Sequence, residues 1–312
     1  MSIKLTYCTI TAAAFAFMAL SAPAQAQTLR TWVSGLGDDA NFCTRTAPCK
    51  TFSGAMSKTA AGGEINCLDP GGYGAVTINK SLTIDCHDVF GSALVQGANS
   101  INVALDSTPN MIVRIRNVNI NGLLASPIGI SITGTNSGSA NNAVSIEDCL
   151  IDGFTQFGIS DTAIAGRLYV KNTVIRNGFS TGVGIASSSG VSAVRATFEN
   201  VAVFDWNTGY GIGNGAQVLL KTSTSAGNTA AGVQADGGAL VAISSSTISG
   251  NGTGILVNAG GTVRVGDSDI AFNTTGLTGT IQSFVNNRIT NNGAGGTINP
   301  VTGGVTNPQG LQ

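Results

Sequence analysis

Between Ile115 and Ile289 one short pattern of apolar and polar positions returns eight times. Each copy has an apolar residue, a free position, a small polar residue, a small position, another free position and usually a second apolar residue. The copies begin at Ile115, Ile146, Val170, Phe198, Leu220, Ile243, Val265 and Phe284, spaced 31, 24, 28, 22, 23, 22 and 19 residues apart. A period of about 24 residues marks a repeat architecture, in which each unit buries its apolar face only against its neighbours.

Read down the copies, the first column (Ile, Ile, Val, Phe, Leu, Ile, Val, Phe) belongs to a continuous core. The third holds Asn117, Asp148, Asn172, Asn200, Thr222, Ser245, Asp267 and Asn286. These residue types hydrogen-bond nearby backbone, and Asn and Asp tolerate positive φ, so the column predicts a tight bend. A Gly plus aliphatic pair follows each bend, as in IGISI at 128–132, FGIS at 157–160, GVGIA at 182–186 and YGIG at 210–213. Two β-rich runs about one bend, then a third strand, in about 24 residues, predict one coil of a parallel β-solenoid. The unit is too short for a propeller blade and too rich in Val, Ile, Thr and Gly for a helical repeat.

These coils resemble the right-handed parallel β-helix proteins of the pectin-lyase-like superfamily. The segments at 31–52, 62–76 and 79–84 resemble the N-terminal entry of secreted β-helix proteins. The resemblance implies an all-β fold, a right-handed parallel β-helix, and it covers most of the chain after residue 26. It implies little about function, because that fold hosts lyases, hydrolases, esterases, epimerases, adhesins and inert scaffolds. The expected stack has roughly nine or ten coils, about 45 Å long at about 4.8 Å per rung.

The expected organisation is a signal peptide at 1–26, an N-terminal cap region at 27–62, the β-helix at 63–292 and a Gly/Pro-rich tail at 293–312. Lys4, the apolar run 12–20 and the Ala24-Gln25-Ala26 site predict export with cleavage after Ala26, to the periplasm or outside the cell. In KTFSGAMSKTAA at 50–61, Phe52, Ala55, Met56 and Thr59 lie at helical spacing before Gly62-Gly63. A short helix there would cover the open first coil, which otherwise exposes apolar core and strand edges.

Without residues 1–26 the chain carries 14 basic and 16 acidic side chains and no basic patch, which argues against nucleic acid as a partner. No later segment is apolar and long enough to span a bilayer. Five cysteines remain once Cys8 leaves with the signal. Cys43 and Cys49 bracket a short loop, and Cys67 and Cys86 sit on strands about one coil apart, so both pairs are expected disulfides. Cys149 falls in the small fourth column beside Val118, Thr173 and Val201 and reads as a buried free thiol.

Polysaccharide lyases of this fold need a Lys or Arg base, and galacturonan hydrolases need clustered carboxylates on the sheet that forms the cleft. The Gly-Ile strand is the expected cleft sheet. Its outward residues, Gly129, Ser131, Ser160, Ala186, Gly213, Gln234 and Leu256, are uncharged. Neither the superfamily's combined Asn-Thr-Asp, Asp-Asp and Gly-His-Gly set nor its Arg-x-Pro-x-x-Arg run is found, and the single histidine, His87 between Asp85 and Asp88, reads as a loop residue.

Asp161 and Asp205 are the candidate catalytic carboxylates. With Asp152 they lie near an aromatic group from which Trp206, Tyr210, Phe154 and Phe157 are drawn as carbohydrate-contact candidates; Phe179 lies nearby. Rings beside Asp and Asn supply stacking and hydroxyl hydrogen bonds, but the same rings could simply wedge the corners. Asp267 and Asp269 could bind Ca²⁺, although Asp267 already serves the bend column, so no metal or other cofactor is expected. The second column, Arg116, Glu147, Lys171, Glu199 and Lys221, alternates in sign through five coils before Ser244, Gly266 and Val285.

A structural or carbohydrate-contacting protein outside the cytoplasm, with polysaccharide as partner, ranks first. A polysaccharide lyase or glycoside hydrolase is the alternative, and an adhesin-like interaction module the third reading. The pattern leaves the oligomeric state open.

Overall fold

The structure, a computed structural model, describes residues 27–300 apart from 88, 107–108, 136–140, 188–193 and 285. The signal segment, Asp88, Val285 and residues 301–312 therefore lie outside the described residues.

Each coil turns through three faces. In one representative coil they are the strands Val194–Glu199, Ala202–Phe204 and Thr208–Gly213, joined by bends at Asn200 and Asp205. The first face is a twelve-stranded sheet from Thr28–Val33 to Ile298–Pro300, about 53 Å along the stack at about 4.8 Å per rung. Every pairing in it is parallel to the strand one coil away. This is longer than the nine or ten coils expected. Thr28–Val33 pairs with Thr59–Cys67, and Ile298–Pro300 with Ile281–Ser283, so the ladder runs past both limits of the expected 63–292 span.

The predicted columns stack in register. Ile115, Ile146, Val170, Phe198, Leu220, Ile243 and Val265 stand one above another, each buried in a single continuous core. Next to them Asn117, Asp148, Asn172, Asn200, Thr222, Ser245 and Asp267 all have φ between 47° and 55°. That left-handed conformation turns the chain from the first face to the second within one residue, and short polar side chains tolerate it best. Their side chains link coils: Asn172 Nδ2 donates to Asp148 Oδ1 at 3.1 Å, and Asn200 Nδ2 to Asn172 Oδ1 at 2.8 Å. The eighth copy slips. Ser283, not Phe284, stands over Val265, and one extra residue precedes Arg288, which pairs with Asp269.

The glycine of each Gly-aliphatic pair has a packing reason. A Cβ on Gly129, Gly158, Gly182, Gly209, Gly232, Gly254 or Gly276 would lie 2.5 to 2.9 Å from the carbonyl oxygen of the glycine one coil on. Backbone touches backbone at this corner, and only hydrogen fits. At the neighbouring corner the last coils carry a buried asparagine ladder. Asn228 Nδ2 donates to Asn251 Oδ1, Asn251 Nδ2 to Asn273 Oδ1 and Asn273 Nδ2 to Asn292 Oδ1, at 2.9, 2.9 and 3.0 Å. Each side-chain oxygen also accepts the preceding coil's backbone N–H, so these buried amides are paired.

One helix is present among the described residues, Phe52–Lys58, and it buries Phe52, Ala55 and Met56. Thr51 caps its N-terminus by accepting from Gly54 N, and Asp39 in turn accepts from Lys50 N, Thr51 N and Thr51 Oγ1. Phe52 packs on Tyr73 with ring centroids 5.1 Å apart. Both expected disulfides are formed, Cys43–Cys49 and Cys67–Cys86, with Cα atoms 4.6 and 4.7 Å apart. Cys149 is free and buried, and burial pushes its thiol up to about 12, which keeps it protonated and unreactive.

Candidate functional site

The corner where Asp152, Asp205 and the aromatic residues converge decides most of the site expectations. Successive coils place Phe154, Gly178, Trp206, Asn228, Asn251 and Asn273 at equivalent inside-corner positions. Here large side chains alternate with glycine. A Cβ on Gly178 would lie 1.9 Å from the Trp206 ring, and one on Gly122 would lie 2.5 Å from the Phe154 ring. Each ring therefore fills the space that the glycine one coil earlier leaves empty.

Trp206 and Phe154 are 1% and 0% exposed, so neither offers a ring face to a sugar, contrary to the expectation drawn from their types. Tyr210 is also fully buried. It points inward and meets Phe198 edge-on at 5.4 Å, and burial holds its hydroxyl far above the usual tyrosine range. These three rings are corner and core packing. Phe157 alone of the four lies on the outer surface, half-buried, with its ring against Gly184 of the next coil.

Asp161 departs further from its expected role. It pairs with Ile132 on one side and Ile185 on the other, both core residues, so its side chain points inward and is 4% exposed. Its carboxylate accepts the Ala163 N–H at 3.1 Å, and burial raises its pKa to about 7. No substrate on the outer surface reaches it. The signal was present in the sequence: GISI at 129–132 aligned with GISD at 158–161 puts Asp161 in the column of Ile132.

What remains at the corner is an open cleft of about 530 Å³ lined by Leu123, Leu124, Asp152, Asn177, Phe179 and Asp205. One wall is an outward bulge. Asn121 pairs with Asp152 and Ser126 with Phe154, so four residues stand where the next coil has Gly153 alone. Within the bulge Leu123 and Leu124 have φ of 55° and 54° and are 53% and 49% exposed. Bulky residues seldom adopt this conformation, and it costs free energy that the surrounding contacts must offset. Asn121 Oδ1 accepts the Leu123 N–H at 2.8 Å and helps hold the bulge.

Phe179, 62% exposed, forms the other side. Asp152 accepts from Arg176 Nε at 2.9 Å and from Asn177 Nδ2 at 3.0 Å, which neutralises it, whereas Asp205 is exposed at its bend. The structure thus brings Asp152 and Asp205 together with exposed apolar side chains and leaves Asp161, Trp206, Tyr210 and Phe154 out. The bulge residues had one sequence signal, the 31-residue interval that is the longest between copies.

The other expected positions are structural. Asp267 sits in the bend ladder and accepts from Ser245 Oγ at 3.0 Å, and Asp269 is paired with Arg288. No group of three His, Cys, Asp or Glu side chains placed to hold a metal occurs among the described residues. His87 is exposed beside Asp85, whose Oδ1 accepts its backbone N–H at 3.0 Å. The second column is a single outward stripe, as expected. It begins one coil earlier than the expected run, at Asp85, and continues Arg116, Glu147, Lys171, Glu199, Lys221, every neighbour opposite in sign.

Coils with three parallel faces, single-residue left-handed bends and a continuous core define a parallel β-helix. The family described as "Right handed beta helix region" matches residues 168–306. Among solved structures the chain is similar to pectate lyase Pel9A, with a TM-score of 0.57 and 15% identity over 83% of this chain and 75% of that one. The Azotobacter vinelandii mannuronan C-5 epimerase AlgE4 A-module has a TM-score of 0.48 and 12% identity, covering 71% of this chain and 65% of that one. A rhamnogalacturonan lyase has a TM-score of 0.42 and 12% identity over 86% and 84%. No curated protein matches the sequence significantly. At such identities the likeness is one of fold.

Proposed function

We propose that this chain is an exported, non-catalytic β-helix that contacts neutral polysaccharide through the corner cleft. The observation that carries the reading is the strained, exposed Leu123-Leu124 bulge facing exposed Phe179 across Asp152, Asn177 and Asp205. Apolar surface with an aromatic ring suits the C–H face of a sugar, and carboxylate and amide oxygens accept from hydroxyls. No cation lines the cleft among the described residues, Arg176 beside it is already engaged by Asp152, and Asp205 would repel a uronate, so a neutral glycan fits better than an acidic one.

In this reading residues 1–26 direct export and are cleaved after Ala26, and the two disulfides are compatible with an oxidising compartment. The helix Phe52–Lys58 serves as the cap of the first coils: it packs on Thr28–Val33, Thr59–Cys67 and Val76–Ile78.

Calorimetric titration of the purified protein with neutral oligosaccharides and with polygalacturonate tests the reading. Neutral glycan binding that drops at least tenfold in Phe179→Ala and Asp205→Ala is the expected result. Binding only to the acidic polymer, or unchanged binding in both variants, would refute it. New reducing ends or unsaturated-product absorbance from any polysaccharide would overturn the non-catalytic assignment.

A further inference from the structure

The first face carries a second feature, independent of the corner. A shallow groove of about 370 Å³ crosses four consecutive strands, Val194–Glu199, Gln217–Lys221, Leu240–Ser244 and Thr262–Gly266. Their outward residues are, rung by rung, Arg195 and Thr197, Gln217 and Leu219, Leu240 and Ala242, Thr262 and Arg264. Cations mark the two ends and aliphatic side chains fill the middle. Leu219 and Leu240 are 36% and 49% exposed.

Both guanidinium groups are oriented by a glutamine one coil on. Arg195 Nε donates to Gln217 Oε1 at 3.3 Å, and Arg264 Nε to Gln282 Oε1 at 2.8 Å. Tethering through Nε leaves the two Nη groups of each arginine to bind a carboxylate in the fork geometry that arginine favours. In these two outward columns, from Thr83 to Gln282, Arg114 and Arg167 add further positive charge, and no acidic residue occurs among the described positions. The neighbouring alternating stripe is balanced within itself, since each Glu lies between two cations.

We propose that this groove docks an extended segment of a partner protein with two acidic residues four or five positions apart and aliphatic residues between them. Three rungs along the stack and one column across it separate Arg195 from Arg264 by about 16 Å, and an extended chain covers that span in about five residues. Aliphatic side chains would cover Leu219, Leu240 and Ala242 and remove their exposed surface from water. A polymer with a carboxylate on every unit fits poorly, because its inner carboxylates would lie over those apolar residues with no cation beneath them. The groove also has no aromatic ring for a sugar face to stack on.

The probes are two capped extended peptides, acetyl-Asp-Thr-Leu-Thr-Asp-amide, whose Leu shares a face with both Asp, and its six-residue analogue acetyl-Asp-Thr-Leu-Leu-Thr-Asp-amide, each with a fluorophore, measured by anisotropy at low and at high salt. Saturable binding by at least one peptide at low salt is expected. It should weaken at least tenfold when both Asp are replaced by Asn, in Arg195→Gln, in Arg264→Gln and in Leu240→Glu, and weaken again at high salt. The substituted side chains are outward, so unchanged far-UV circular dichroism will certify the folded variants. Absence of binding by both peptides, equal binding of the Asn versions, binding retained in either arginine variant, or displacement by polygalacturonate at lower concentration than by the unlabelled peptide would each overturn the proposal.

Discussion

Asp161 provides a sharp test of the register, because an inward carboxyl group between Ile132 and Ile185 should make the fold less stable as pH rises. In the unfolded chain it titrates near 3.8, and in the folded chain burial moves it to about 7. Below pH 3.8 both states are protonated and the group carries no penalty. Between the two values the unfolded chain releases its proton while the folded chain holds it, so stability falls by about 1.4 kcal/mol per pH unit. Above pH 7 the loss is complete, at roughly 4 kcal/mol. Asp161→Asn removes the titration and keeps an oxygen for the Ala163 N–H. A hydrogen-bond partner gained or lost by its new NH₂ group shifts stability by about 1 to 3 kcal/mol, and that shift is the same at every pH. The diagnostic quantity is therefore how the stability difference between variant and wild type changes with pH. Urea unfolding at pH 4, 6 and 8, with both disulfides intact, should show the variant gaining about 4 kcal/mol on the wild type from pH 4 to pH 8. A difference constant to within about 1 kcal/mol across that range would mean that Asp161 faces water and that this strand's register is wrong.

Two other substitutions test the packing and the stripe. Gly178→Ala drives a methyl group into the Trp206 ring and should cost about 1 to 3 kcal/mol, whereas Gly213→Ala, whose Cβ meets nothing closer than 4.0 Å, should change the unfolding midpoint little; equal midpoints for the two would contradict the interdigitated corner. Lys171→Glu sets three acids in succession between Glu147 and Glu199 and should lower the thermal midpoint at low salt, by a loss of about 0.2 to 1 kcal/mol per altered pair, with added salt restoring part of it. An unchanged midpoint at low salt would make the alternation incidental.

What the chain's own pattern determined is the part governed by local chemistry. Alternation along a strand decides which residues face the core. The left-handed bend selects Asn, Asp and Ser at one column, and strand spacing one coil apart pairs Cys67 with Cys86. These choices need only the residues themselves and their period, so the coil, the bend column from Asn117 to Asp267, the helix near Phe52 and the charged stripe are all legible in the sequence, whereas the buried ladder of Asn228, Asn251 and Asn273 is not. Tertiary structure decided where each large side chain went. Trp206 looked like a surface ring until Gly178, 28 residues earlier, proved to leave the hole it fills, and Phe154 is buried over Gly122 for the same reason. The Leu123-Leu124 bulge became a cleft wall only because the coil above it spans the same corner with Gly153. The slip at Ser283 likewise shows in the pairing with Val265 and not in the composition of the eighth copy. In a solenoid the volume open to a side chain is set by the coil above or below, some 20 to 30 residues away. Residue type alone therefore leaves the choice between wedge and binding surface open, and contact between coils settles it.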